Sequence, residues 1–175
     1  MKRIKISFLT LLGCVLLGSS CISTDPTVMS TDWKDRNDAY ILNMQDSVKY
    51  TQVTVPESSG GGSYFYKVIE TGDSTVSSPI STDKVMVQYR GKLINGSVFD
   101  ETYTSDVSPD GTTGAKTFTV NQVIAGWSAN LMHMKVGEVR KIVLSQELGY
   151  GAAGAYPAIQ PYSVTVWVVR LLKVN

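Results

Sequence analysis

At 175 residues, 43% of them hydrophobic and 18% charged, the chain can bury one sizeable core with a small appendage, which argues against several domains. Its 16 basic residues are matched by 15 acidic ones, and no run of five like charges occurs, so neither nucleic acid nor an anionic lipid surface is expected as the main partner.

The amino terminus, "MKRIKISFLTLLGCVLLGSSC", opens on basic residues, continues through an apolar stretch and ends on small residues before Cys21. That layout is a secretory signal over residues 1–20. The apolar run from Ile4 to Gly18 is broken by Lys5, Ser7 and Thr10 and falls short of the roughly 20 residues that cross a bilayer, so no retained transmembrane helix is expected. "LLGSSC" resembles the lipobox at which bacterial signal peptidases cut before a lipid-modified cysteine, although Gly18 stands where Leu is usual. "LLGC", ending at Cys14, fits that pattern better but would leave apolar "VLLG" exposed near the head of the mature chain, which favours Cys21. With both cysteines in or at the end of the leader, no disulfide is expected within the domain. The expected setting is the bacterial cell envelope, lipid-anchored in the outer membrane and facing the periplasm, with that anchor the sole contact with membrane.

Residues 21–63 read as a tether followed by an amphipathic helix. "ISTDPTVMSTD" (22–32) is polar and Pro-interrupted, and Ser30, Thr31 and Asp32 offer caps for a helix through "WKDRNDAYILNMQDSVKY". Trp33, Tyr40, Ile41, Met44 and Val48 share one helical face, expected to dock on its own domain in preference to forming a homodimer through the same helix. "PESSGGGS" (56–63) reads as a flexible break. From residue 64 to 175 the pattern changes to short β-branched or alternating segments separated by turns, the mark of a mostly antiparallel sheet. The strand candidates are residues 64–70, 84–94, 116–120, 139–145 and 164–174, and "NG" at 95 and 96 predicts a hairpin. One helix interrupts them, from near Trp127 to a left-handed cap at Gly137, with Trp127, Leu131 and Met134 on one face. The longest connection, residues 101–117, exceeds the usual length and is expected to be either functional or mobile. The fold class is α+β.

Inventory dismisses most catalytic chemistry. With His133 alone and no cysteine in the domain, there is no material for a Cys/His or Ser/His pair, and no histidine cluster offers a metal site. Met132, His133 and Met134 are adjacent, so a helix does not turn them toward one another. No phosphate-cradling glycine loop is present, and neither metal nor cofactor is expected. What remains is a concentration of apolar and aromatic residues near turns: Tyr89, Phe99, Val123, Ile124, Trp127, Tyr150, Ile159 and Trp167.

Their order carries a resemblance. "VQYRGKLINGSVFDET", "FTVNQVIAGW", "MKVGEVRKIVLSQELGYG" and "AIQPYSVTVWVVRLLKV" follow one another as in the FKBP family of peptidyl-prolyl cis/trans isomerases, which the chain closely resembles over residues 64–175. The resemblance implies an FKBP-like twisted antiparallel β-sheet wrapped around one short α-helix, here with an N-terminal helical extension. It also implies an apolar pocket for proline. Tyr89, Phe99, Val123, Trp127, Ile159 and Trp167 would bind substrate, Trp127 as the platform under the proline ring. Gly126 would let the chain turn tightly into the helix. The Ile124 backbone N–H and the Tyr150 hydroxyl would orient the substrate carbonyl, and Asp100 would hold the polar edge. Three positions depart from the family pattern: Lys116 where many members place a pocket aromatic, Gln160 where many have the first of two prolines, and Trp167 in place of Phe. The implied partners are proline-containing unfolded or exported polypeptides, with a macrolide as an alternative ligand, and the implied activity is peptidyl-prolyl isomerisation. A non-catalytic polypeptide-binding or chaperone module on the same fold is the alternative reading.

Overall fold

The computed structural model describes residues 26–104, 109 and 114–175, with side chains from residue 32 onward. The leader, Cys14 and Cys21 lie outside the described residues. The first helix, α1, spans Pro26–Gln45 and therefore begins within the stretch expected to be tether. Proline fits the first turn of a helix because its fixed φ is already helical and its missing N–H would have no partner there. Ion pairs four residues apart, Asp32 with Arg36 and Lys34 with Asp38, support the turns that follow.

Among the described residues seven strands form one antiparallel sheet: β1 (Thr51–Thr54), β2 (Ser63–Glu70), β3 (Lys84–Leu93), β4 (Val98–Glu101), β5 (Lys116–Thr119), β6 (Val139–Leu144) and β7 (Thr165–Val174). Their order is β1-β2-β6-β7-β3-β4, with β5 also pairing with β3. β3 and β7, ten residues each, form the spine, with Tyr89 opposite Val169 and Gly91 opposite Trp167. The expected hairpin joins β3 to β4 through Asn95 and Gly96, the latter at φ 87°. β1 is not expected from its sequence. Its four residues are mostly exposed and carry no apolar alternation, and it is held by pairing Thr51–Thr54 with Tyr66–Ser63. "PESSGGGS" is not a flexible break. It forms a 3-10 turn at Glu57–Ser59 and a corner of three positive-φ glycines, Gly60 to Gly62, packed against Ala125 and Leu148.

Alternation along the strands divides the apolar residues between two faces. On one face Tyr64, Val85, Val87, Tyr89, Ile142, Leu144, Trp167, Val169 and Leu171 close around α2 (Ala125–Leu131), whose Trp127 and Leu131, with Met134 beyond it, complete the main core. On the opposite face Phe65, Val143 and Val164 are covered by Tyr40, Ile41 and Met44 of α1. The N-terminal helix thus docks on its own domain, while Val48, past its end, is fully exposed.

α2 ends at Leu131, earlier than expected. Arg140 of β6 reaches across to donate to the Asn130 side chain at 3.3 Å and to the His133 carbonyl at 2.7 Å, the latter a backbone acceptor that a longer helix would have bonded internally. Gly137 does adopt a left-handed φ of 84°, but in the turn leading to β6. Gly126 has a different reason from the tight turn expected of it. A Cβ there would lie 2.7 Å from a Leu144 methyl, so glycine is what lets α2 approach the sheet.

Tyr64 provides a test of this core. Its hydroxyl is buried with no hydrogen-bond partner among the described residues, and burial pushes its pKa up to about 12. A buried polar group without a partner costs about 1–3 kcal/mol, so Tyr64→Phe is expected to raise stability by about 1 kcal/mol at neutral pH. Between pH 10 and 12 the unfolded phenol loses its proton while the folded one keeps it, so stability falls as pH rises through that window, by about 3 kcal/mol for two pH units. Urea denaturation across this range should show that slope in the wild type and a shallower one in Tyr64→Phe.

Candidate active site

A cavity of about 350 Å³ opens at one end of the main core, between α2, β3, β5 and the loop after β6. Its floor is the Trp127 indole, 4% exposed and carried on the first turn of α2. Three rings stand edge-on to it: Tyr89 from β3 at 5.0 Å, Trp167 from β7 at 5.0 Å and Phe118 from β5 at 6.1 Å between centroids. Tilted and T-shaped pairs of this kind set the positive edge of one ring against the negative face of the next, which fixes the walls relative to the floor. Val123 and Ile124, just before α2, and Tyr150 complete the rim.

The close approach of these rings depends on Gly91. A Cβ at that position would sit 2.5 Å from Trp167 Cζ3 and 2.8 Å from Phe99 Cζ, so a side chain there would be driven into the rings. A glycine within an otherwise regular strand signals such an approach, and it is visible in "VQYRGKL" without being recognised there as part of the site.

Polar groups gather on one side. The Tyr89 hydroxyl donates to Asp100 Oδ2 at 2.7 Å and accepts from Lys116 Nζ at 3.0 Å, and Lys116 also lies 3.5 Å from Asp100 Oδ1. Burial raises the pKa of Tyr89, with its bond from Lys116 opposing that rise, while the bond to Tyr89 raises the pKa of Lys116. Burial and then the Asp100 charge raise that of Tyr150. Tyr89, Lys116 and Tyr150 therefore hold their protons at neutral pH. Ile124 has extended backbone at φ −57° and ψ 148°, and neither its N–H nor the Tyr150 hydroxyl donates to an acceptor among the described residues. Two donors thus stand ready at the rim of an aromatic cavity.

The structure brings seven of the sequence-predicted residues to the cavity wall: Tyr89, Asp100, Val123, Ile124, Trp127, Tyr150 and Trp167. Phe99 stands behind them, with its ring 4.9 Å from Trp167 and 6.2 Å from Tyr150. Ile159 does not reach the wall. It is 4% exposed and packs with Trp33 and Leu93, because its loop folds back through paired hydrogen bonds between Ala155 and Ile159, each 2.8 Å. Phe118 and Gln122 line the cavity without having been singled out; Phe118 alternates with Lys116 along β5, the signal that would have found it. Of the 101–117 loop, residues 105–108 and 110–113 lie outside the described residues, and with them any border they form to the cavity. Among the described residues no three His, Cys, Asp or Glu side chains come together as a metal site, and no helix is long and apolar enough to cross a membrane.

The cavity and its wrapping sheet have close parallels. The crystal structure of FkpA from Escherichia coli superposes with a TM-score of 0.67 at 30% identity, covering 85% of this chain and 62% of that one. In sequence, the FKBP-type 22 kDa peptidyl-prolyl cis-trans isomerase of Escherichia coli K12 is 38% identical over 109 residues, 62% of this chain and 48% of the relative. The peptidyl-prolyl cis-trans isomerase Mip of Coxiella burnetii is 37% identical over 110 residues, 63% of this chain and 44% of the relative. The chain therefore spans about half the length of these curated relatives. Residues 76–172, which carry every cavity-lining side chain described above, match the family described as FKBP-type peptidyl-prolyl cis-trans isomerase. An aromatic cavity built on this sheet and a family match over more than half the chain lead to one conclusion: the protein belongs to the FKBP family.

Proposed function

We propose that the protein is a peptidyl-prolyl cis/trans isomerase of the cell envelope, acting on X–Pro segments of unfolded or newly exported polypeptides. One observation supports this above the others: an aromatic floor with three edge-on walls has at its rim two donors, the Ile124 N–H and the Tyr150 hydroxyl, that have no acceptor among the described residues. Rotation about a peptide bond faces a barrier of about 18–20 kcal/mol because amide resonance must be broken. The planar amide is more polar than the twisted one, so a dry aromatic site penalises the planar ground state more than the transition state. With the proline ring on Trp127, donors at the rim would hold the preceding carbonyl while the bond turns. The binding energy is then expressed where rotation needs it. No nucleophile, metal or cofactor enters this scheme. A macrolide would compete for the same floor, with less room than a Phe at position 167 would leave.

The proposed setting is membrane attachment through a lipidated Cys21, supported by the leader composition and the small residues before that cysteine. The competing reading, a polypeptide-binding module without turnover, draws on Lys116, which ties up Tyr89 and Asp100 on the polar side of the cavity.

A proline-peptide isomerisation assay on the full chain separates the two. The enzyme reading expects relaxation of X–Pro bonds well faster than the uncatalysed tens to hundreds of seconds. Saturable peptide binding with an unaltered relaxation rate would leave only the module.

A further inference from the structure

The N-terminal helix lies outside residues 76–172, yet its first described side chains reach the back of the cavity. Trp33 is 4% exposed and shares a cluster with Leu93 and Ile159, against which Phe99 and Tyr150 pack. Its indole N–H donates to Ser163 Oγ at 3.0 Å, and that hydroxyl in turn donates to the Gln160 carbonyl at 2.7 Å. One turn further along α1, Asn37 is fully buried. Its Oδ1 accepts from the Val164 N–H at 2.8 Å, and its Nδ2 donates to the Trp33 carbonyl at 2.7 Å. The helix thus grips the segment from Ile159 to Val164 by packing, by a side-chain bond and by a backbone bond.

That segment carries strain and leads to the rim. Tyr162 has φ 61°, a conformation that non-glycine residues rarely hold unless their surroundings impose it. Here its N–H is bonded to the Gly151 carbonyl at 3.0 Å, and Lys34 of α1 lies 5.6 Å from its ring centroid. Gly151 directly follows Tyr150, and the Gly154 N–H returns to the Tyr150 carbonyl at 3.1 Å. From α1, hydrogen bonds thus lead to the backbone at Tyr150, and packing against the Trp33, Leu93 and Ile159 cluster reaches its side chain.

We propose that Trp33 is a positioning residue for substrate: by holding Ile159 and Ser163, it fixes the loop that sets Tyr150 at the cavity rim, so that an element outside the family region completes the proline site. The inference rests on the functional reading above and adds to it. It assigns Ile159 a backing role behind the rim.

The test compares two positions on one helix in the full chain. Trp33→Ala breaks the grip on the loop. Ile41→Ala removes packing from the Phe65, Val143 and Val164 cluster, meeting the gripped segment at its last residue while leaving the Trp33 contacts with Ile159 and Ser163 in place, and so controls for general destabilisation. Trp33→Ala is expected to raise KM for an X–Pro peptide by about five- to tenfold with kcat within about twofold, the scale of losing one or two ordered contacts. It should also weaken binding of a non-isomerisable proline peptide by the same factor and speed amide exchange at Ala155, Ile159 and Tyr162. Ile41→Ala should leave all three at wild-type values. Trp33→Phe keeps the packing and loses the donor, so it should fall between, and Ser163→Ala should match it. Should Trp33→Ala fail to fold, this milder pair carries the test. Equal KM in wild type and these variants, or shifts that follow melting temperature alike in Trp33 and Ile41 variants, would overturn the proposal. A wild type that binds peptide without turnover would refute the enzyme reading alone, and the binding and exchange measurements would still decide the role of Trp33.

Discussion

Trp127→Ala is expected to lower folding stability by about 3–5 kcal/mol and to abolish binding of proline peptides. The residue is 4% exposed and in edge-on contact with Tyr89, Phe118 and Trp167, so its removal leaves a cavity bounded by three rings with nothing to collapse onto. Its indole N–H is buried without a hydrogen-bond partner among the described residues, so the loss comes from packing. For a domain of this size the shift in melting temperature should be roughly 10–20 °C, readable by calorimetry. Trp127→Leu separates the two roles of the ring. Leucine fills much of the volume and should recover part of the stability, but it offers no flat face and should bind proline no better than the alanine variant. A Trp127→Ala protein that melts within a few degrees of wild type would show that the floor is not part of the core.

How much of this site could be read in advance depended on what kind of interaction placed each residue. Tyr89, Val123, Ile124 and Trp127 were legible because they stand in compact motifs beside turns, and strand alternation with a short helix fixes which way they point. Ile159 was not, because its direction is set by a loop folding back on itself and by Trp33, 126 residues earlier in the chain. Local patterning carries no trace of such a contact. The same holds for Arg140, whose reach across to Asn130 and His133 accompanies the early end of α2 and cannot be inferred from the helix alone. For the two glycines the signal was present but its meaning was not. Gly91 and Gly126 could each have marked a turn, and only packing against Trp167 and Leu144 shows that they mark close approach. β1 escaped notice because four mostly exposed residues carry no pattern of their own and borrow order from β2.

The departure at Lys116 changes what Asp100 does. A carboxylate alone at the edge of an aromatic cavity would present a net negative charge. Here the ammonium 3.5 Å away offsets it, and the Tyr89 hydroxyl lies between the two as donor to Asp100 and acceptor from Lys116. The three groups form one unit in which the ammonium and the carboxylate balance each other across the phenol. Both side chains of the ion pair are about half exposed, so the pair adds little to stability and its effect belongs to the site.

Asp100→Ala is accordingly expected to fold normally, with a melting temperature within a few degrees of wild type, yet to lose kcat/KM by about 100-fold, the scale on which a preorganised polar group acts in a dry site. Two causes would contribute: Tyr89 loses its acceptor, and Lys116 is left as an unbalanced cation facing an apolar substrate. The double variant Asp100→Ala with Lys116→Met separates them, because it removes the stray charge without restoring the acceptor. Recovery of a tenfold or larger part of the loss would assign most of the effect to charge balance, whereas no recovery would assign it to the orientation of Tyr89. The Tyr89 phenol supplies an independent reading. The bond to Asp100 and its charge both raise the Tyr89 pKa, while Lys116 lowers it, so Asp100→Ala should bring the phenol's titration to lower pH and Lys116→Met should move it higher, by ultraviolet difference absorption. If Asp100→Ala turned over peptide as fast as wild type while its Tyr89 titration moved as expected, the carboxylate would be a structural partner of the phenol and would have no part in catalysis.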